Sequence, residues 1–372
     1  KSFFGNMGKN LLAKFLFFLS LTSFLIIFYR RNEVSGIYNF NDLYFLVPIF
    51  LFGLSIASVF LPKIIKFYFF YSLAAILISI YSLEIIFFFQ SGKNIEKKKV
   101  EYFKKNKLDY RKRFEVYDNI LKRNLNETLT VPPQNFLKKN YPLFPLSGIS
   151  QKKTIMCNES GYYNNYISDR FGFNNDDKVY EKKDIHSVFI GDSFLHGACV
   201  NNVNNLISNL RSTKFFNEKN ILNLGYGGNG PLINLATLRE YFPKNKNLKY
   251  LFWIYYEGND LKELNNELAS ETLLKYLKNS TYSQSLKKKQ KEINNYVFDL
   301  LNNNEKINDE TNFLSLKSII SILGIDRTRG LIFSKFDPKY KKNVEILNSF
   351  KKIAQEIHIY SKYFKTELVF VY

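Results

Sequence analysis

The stretch "SVFIGDSFLHGACV", residues 187–200, decides how the chain is read. It opens as a short apolar run with strand-forming residues, and Gly191-Asp192-Ser193 then breaks it before a segment that reads as helix as far as about Arg211. This junction has two readings. A serine at the start of a helix often does no more than cap it. Alternatively, Ser193 is displayed at the end of a buried strand, where unpaired helix N–H groups and the helix dipole favour negative charge.

The same alternation recurs downstream. "ILNLGYGGNGP" (221–231) reads as a strand and a glycine-rich loop, and "LINLATLREYF" (232–242) as an amphipathic helix. "LKYLFWIYYEGND" (248–260) is a third strand ending in a turn, and "ELVFVY" (367–372) a fourth. Strands alternating with helices predict an α/β unit whose parallel sheet is covered on both faces. In such sheets chemistry collects beyond the carboxyl ends of the strands. Three turns end there, at 191–193, 225–231 and 257–260, and together they supply a hydroxyl, free backbone N–H groups and a carboxamide. That set suits acyl transfer, with Ser193 as nucleophile and Gly228, Asn259 and the Ser193 N–H as donors to an oxyanion. Other readings stay open: the glycine loop could cradle a phosphate, although its spacing is not G-x-G-x-x-G with a following acid. Asn259 could cap a helix together with Asp260.

In this order the blocks "GDSFLHG", "NLGYGGNGP" and "EGND" resemble the SGNH/GDSL hydrolases, and "SDRFGFNN" (168–175) resembles a lead-in found in membrane-attached members. The likeness covers about residues 155–261 and the final strand. It implies a flavodoxin-like three-layer fold and an esterase or acyl-transferring hydrolase working through an acyl-enzyme on Ser193. Gly228 and Asn259 would hold the oxyanion, with no cofactor and no metal. The substrate class it implies is acyl esters, acylated glycans among them. The family's base comes from an Asp-x-x-His block, and none occurs here: His186 follows "KKDI" and His358 follows "AQEI". The chain begins at Lys1 and stops inside an apolar strand, so it reads as part of a longer protein with the histidine and its aspartate beyond Tyr372. Without them the fragment is expected to be inert. His196, three residues after Ser193, could come near the hydroxyl from the same helical turn, but no segment evident in the sequence would orient its ring, so it is not expected to be the base. His358 reads as a solvated helix face.

Upstream, residues 11–29, 43–61 and 67–89 are apolar over roughly the length that crosses a hydrocarbon core of about 30 Å. Residues 1–90 therefore read as three transmembrane helices, with Glu84 near the end of the last. Residues 91–150 read as a basic helical connector ending in "TVPPQNF" and "NYPLFPLSG", and 151–372 as the α/β domain with a helical insertion at about 264–345. "YYNNYISDRFGFNN" (162–175) reads as a hairpin. The domain is expected on the extracytoplasmic, periplasmic side, against a basic count after the third span that favours the cytoplasm.

Composition narrows the partners. Lys+Arg 53 against Asp+Glu 33 gives +20, but residues 1–90 carry +4 and the rest is spread along the chain without a basic stripe. With no zinc-finger spacing, RRM-like aromatic motif or helix-turn-helix, nucleic-acid binding is not expected. Two cysteines, Cys157 and Cys199, make neither a disulfide framework nor a metal site. The expected partners are an acyl ester and a lipid bilayer. A rival reading keeps the fold without catalysis, as a glycan- or partner-binding membrane protein. A third is a basic scaffold on anionic lipid.

Overall fold

The computed structural model describes residues 10–33, 45–91, 93–123, 126–137, 139, 141–216, 220–244, 247–304, 316–328 and 344–372. In chain order the helices α1 (Leu11–Glu33), α2 (Leu46–Ser58), α3 (Lys63–Ser91), α4 (Lys93–Lys105) and α5 (Arg113–Lys122) lead to the strands β1 (Glu127–Leu129), β2 (Lys153–Ile155) and β3 (Asn165–Ile167). Then come β4 (Ser187–Ile190), α6 (Ser193–His196), α7 (Leu206–Ser212), β5 (Ile221–Asn223), α8 (Pro231–Tyr241) and β6 (Tyr250–Ile254). The last elements are α9 (Asp260–Glu267), α10 (Glu271–Lys278), α11 (Gln290–Asn304), α12 (Leu316–Leu323), α13 (Val344–Tyr363) and β7 (Glu367–Val371).

The chain forms two compact units, and neither is contiguous in sequence. One comprises Lys1–Glu101 and Glu310–Asn343; the other comprises Tyr102–Asp309 and Val344–Tyr372. This division departs from the sequence reading at two places. Most of the expected connector belongs to the α/β unit, because Val116, Tyr117, Ile120, Leu129, Val131 and Phe136 lie in its main core. The expected insertion is split: α9, α10 and α11 pack into that core through Leu264, Tyr276 and Val297, whereas 310–343 belongs with the first unit.

In the first unit two helical stretches, Leu11–Tyr29 and Lys63–Phe89, are long and apolar enough to cross a membrane, with mean hydropathies of 2.3 and 2.1. The middle one of the three expected spans differs. Its helix, α2, has 13 residues and is followed by a turn and Pro62, so it extends only about 20 Å. It packs against α1 through small residues: the Ser55 hydroxyl donates to the Ala13 carbonyl at 2.7 Å and the Ser20 hydroxyl to the Pro48 carbonyl at 2.8 Å. Serines serve this purpose well, because they let backbones approach and satisfy their own hydroxyls.

In the second unit the strand order is β5-β4-β6-β7, all parallel. The period of two sends Val188 and Ile190 to the main core and Phe189 to a second cluster with Leu195, Ile207, Phe216 and Ile221, so both faces are covered. The sequence reading made α8 amphipathic; in fact all eleven of its residues are buried. Two of its charged members are paired in place, whereas the buried Asn234 amide and Thr237 hydroxyl have no hydrogen-bond partner among the described residues. Arg239 pairs with Glu356 at 2.6 Å, and Glu240 accepts from the Tyr276 hydroxyl at 2.5 Å and the Leu286 N–H at 2.9 Å.

A small sheet, β1-β2-β3, stands beside this core. The expected hairpin at 162–175 takes another form, since β3 pairs antiparallel with β2 and not within its own segment. Residues 169–175 are instead folded around buried Asp169, which accepts from the N–H groups of Phe171 and Phe173, the Asn175 amide and the Tyr180 hydroxyl at 2.8–3.0 Å. Burial pushes Asp169 up to about 6 against those donors. Asn175 in turn brackets the end of β5, bonding both the N–H and the carbonyl of Asn223.

Candidate functional site

The register Ile190↔Trp253 in β4–β6 and Phe189↔Asn223 in β4–β5 brings the turns after the three strands to one edge. The first of these turns is closely packed against the sheet: a Cβ on Gly191 would sit 3.0 Å from the Ile254 carbonyl oxygen, so a side chain there would force the neighbouring strand to give.

Ser193 is the first residue of α6, and the helix is capped by its neighbour. The Asp192 side chain accepts from the Phe194 N–H at 3.0 Å. Among the described residues the half-buried Ser193 hydroxyl has no hydrogen-bond partner. Capping therefore does not explain Ser193. The helix is one turn long, not the segment to Arg211 that was expected, because Gly197 closes it with φ +76°. Its end is held from outside. The Asn223 amide donates to the Leu195 carbonyl at 3.0 Å, and the Asn174 amide to the His196 carbonyl at 3.1 Å. These bonds satisfy carbonyls that a short helix leaves unpaired.

Two residues beyond Gly197, Cys199 is disulfide-bonded to Cys157, across 42 residues. The sequence reading saw no framework in two cysteines, and pairing at this separation gave no motif to detect. Closing a loop of this length is worth about 4 kcal/mol. Reduction of the full-length protein is expected to lower its denaturant midpoint accordingly; an unchanged midpoint would assign the bond no stabilising role.

His196 serves the glycine loop and not the serine. Its Nδ1 accepts the Gly227 N–H at 3.2 Å, its Nε2 meets the Tyr166 hydroxyl at 3.1 Å, and its ring stacks on Tyr226 at 4.3 Å. Burial lowers its pKa to about 3, so the ring is neutral. With both ring nitrogens engaged, it makes no hydrogen bond to Ser193. His186 sits at the opposite end of β4, with Nδ1 2.7 Å from the Ser187 hydroxyl, and His358 is exposed on α13. None of the three histidines faces Ser193.

Gly228 takes φ +78°, which disfavours any other residue, and a Cβ there would lie 3.2 Å from Pro132. Among the described residues its N–H donates to no acceptor. The loop is fastened at its far end by fully buried Glu267, which accepts from the N–H groups of Gly230, Leu232 and Ile233 at 2.6, 2.8 and 3.3 Å. Burial pushes Glu267 up to about 8, against those three donors.

Asn259 precedes α9 without capping it. Its amide donates to Glu263 at 2.9 Å. Burial raises the Asp192 pKa, while the Phe194 N–H, the Asn259 amide and the Ser193 N–H all favour its ionised form. The turns of β4 and β6 thus lie close enough for the Asp192 charge to act on Asp260 and Glu263. Asp260 is held by the Tyr256 N–H at 2.9 Å and pushed up to about 8 by burial, with Asp192 and Glu263 adding to the rise. Burial also raises Glu263, followed by the charge of Asp192, while the Asn259 and Gln134 amides oppose the rise.

The sequence reading missed Pro132 and Gln134. They come from the supposed connector and wall the loop at Gly228, with Gln134 carbons 3.6 Å from where its Cβ would be. Two exposed aromatics, Phe194 and Tyr256, meet edge to face at 4.8 Å and join the β4 and β6 turns from outside. No group of three or more His, Cys, Asp or Glu able to hold a metal occurs among the described residues. No family model, curated protein or solved structure matches the chain.

Proposed function

We propose that the chain is a membrane-anchored serine esterase or acyl-transferring hydrolase of SGNH/GDSL type on a flavodoxin-like fold. One observation carries the reading. Ser193 and Asn259 are each relieved of the capping role that would otherwise explain them, and the β4 and β6 turns that carry them approach closely enough for Phe194 to meet Tyr256 at 4.8 Å. The strand order supports it too, since the order second-first-third-fourth puts the binding crevice where the chain reverses direction, beside the first strand.

In this mechanism the Ser193 hydroxyl attacks an ester carbonyl and loses its proton to a base that the described residues do not place beside it. The Gly228 N–H and the Asn259 amide stabilise the oxyanion. The alcohol leaves with a proton, and the acyl-enzyme passes its acyl group to water or to a sugar hydroxyl. Phe194 and Tyr256 offer an apolar surface for the acyl chain. Asn259→Ala is expected to lower turnover of a short-chain aryl ester by about 10²- to 10³-fold, measured on the full-length protein. An unchanged rate would take Asn259 out of the oxyanion site.

The anchor is the pair α1 and α3, and the partner is the lipid bilayer. The disulfide favours an oxidising compartment for the α/β unit. This outweighs the basic run after α3, because long domains translocate largely regardless of charge. A second reading, binding of a glycan or a protein partner without turnover, is favoured by the placement of all three histidines away from Ser193. Saturable binding of an acylated glycan with no ester hydrolysis would select it.

A further inference from the structure

Glu84 is fully buried on α3, in a stretch that otherwise carries no charge from residue 67 to 89. A carboxylate there is costly unless it is paired and hydrogen-bonded. Its partners come from one short segment far along the chain. Thr328 donates its N–H and its hydroxyl, both at 2.8 Å, and Arg327 its N–H at 3.2 Å. The Arg327 guanidinium stands 3.4 Å from the carboxylate and lies over the Phe88 ring at 4.4 Å. One turn of α3 earlier, the Tyr81 hydroxyl donates to the Leu323 carbonyl at 2.9 Å.

The helix that precedes these donors, α12, reads "LKSIISIL", with Lys317 its one charge. Ile319 and Leu323, four apart and so on one face, are 40% and 43% exposed. Gly324 and Ile325 then turn the chain, Ile325 in the left-handed region at φ +47°, to bring Arg327 and Thr328 onto Glu84. Glu84 lies five residues before Phe89, the end of the apolar stretch, or about 7–8 Å along the helix axis. That is the depth at which amphipathic helices bury their apolar face in a bilayer.

We propose that residues 316–328 form an interfacial membrane segment, its Ile319–Leu323 face against lipid acyl chains and its end clamped to α3 by Glu84. The bilayer is the occupant that continuity favours, because α12 lies on a helix whose apolar stretch, Lys63–Phe89, is itself almost wholly unburied. The proposal rests on reading α1 and α3 as membrane-spanning.

The test uses the full-length protein in phosphatidylethanolamine–phosphatidylglycerol vesicles. Both native cysteines are disulfide-bonded, so a single added cysteine at Ile319, Leu323, Ile76 or Lys288 can carry a nitroxide. Accessibility to oxygen and to a water-soluble nickel chelate is then read by electron paramagnetic resonance. Ile76 is expected to report lipid and Lys288 water; Ile319 and Leu323 should match Ile76, and Glu84→Ala should shift both to the Lys288 value. Labels at 319 and 323 in water while Ile76 is in lipid would overturn the proposal and leave the spanning helices standing. Labels shielded from both reagents would overturn it in favour of a protein partner, such as a second copy. Ile76 in water would remove the membrane reading itself. Labels that stay in lipid in Glu84→Ala would refute the clamp.

Discussion

Ser193→Ala is expected to lower ester turnover of the full-length protein by about 10⁴- to 10⁶-fold, the scale on which loss of a serine nucleophile is felt. The variant is clean for a structural reason. Asp192 caps α6, so alanine at 193 costs the helix no cap, and the lost hydroxyl leaves no broken bond among the described residues. An unaltered thermal midpoint should therefore accompany the loss of rate. Equal hydrolysis by the two proteins would remove Ser193 from the mechanism and return the site to the binding-only reading.

The second large effect concerns pH and the fold. Asp260 and Glu267 are both pushed up to about 8 by burial, and Asp169 to about 6. A carboxyl group that holds its proton more tightly folded than unfolded favours the fold while protonated. That contribution is full below the unfolded value near 4 and is lost as pH rises through the folded one. Each tenfold change in proton affinity is worth about 1.4 kcal/mol. The loss therefore falls between pH 5 and 9, most of it as Asp260 and Glu267 ionise near pH 8. Thermal unfolding in detergent should show a midpoint that falls across this range and a flatter slope in Asp260→Asn. A midpoint that climbs instead would mean that these carboxylates are ionised in the fold.

Much of the sheet was legible. Ser187–Ile190, Ile221–Asn223, Tyr250–Ile254 and Glu367–Val371 are short apolar runs, each marked off by glycines or polar turns, and strand punctuation of this kind is local in sequence. Long-range partnerships were not legible. Nothing near Cys157 announces Cys199, and nothing near "TVPPQNF" announces that Pro132 and Gln134 wall the loop at Gly228. α8 illustrates a different limit: its polar residues at helical spacing imitate a solvated face, and only the ion pair with Glu356 and the bond from α10 reveal why Arg239 and Glu240 are inside. His196 shows how sequence proximity misleads. Three residues place it on the nucleophile's own turn, yet its ring is aimed at the Gly227 N–H.

The division of the chain bears on how the α/β unit could be obtained by itself. A polypeptide begun at Tyr102 keeps Glu310–Asn343 while discarding Glu84. Arg327 and Thr328 would then have lost their acceptor, and a greasy loop would hang in water, inviting aggregation during purification. Excision has to be made twice, taking out 310–343 as well as 1–101, before a well-behaved α/β unit can be expected.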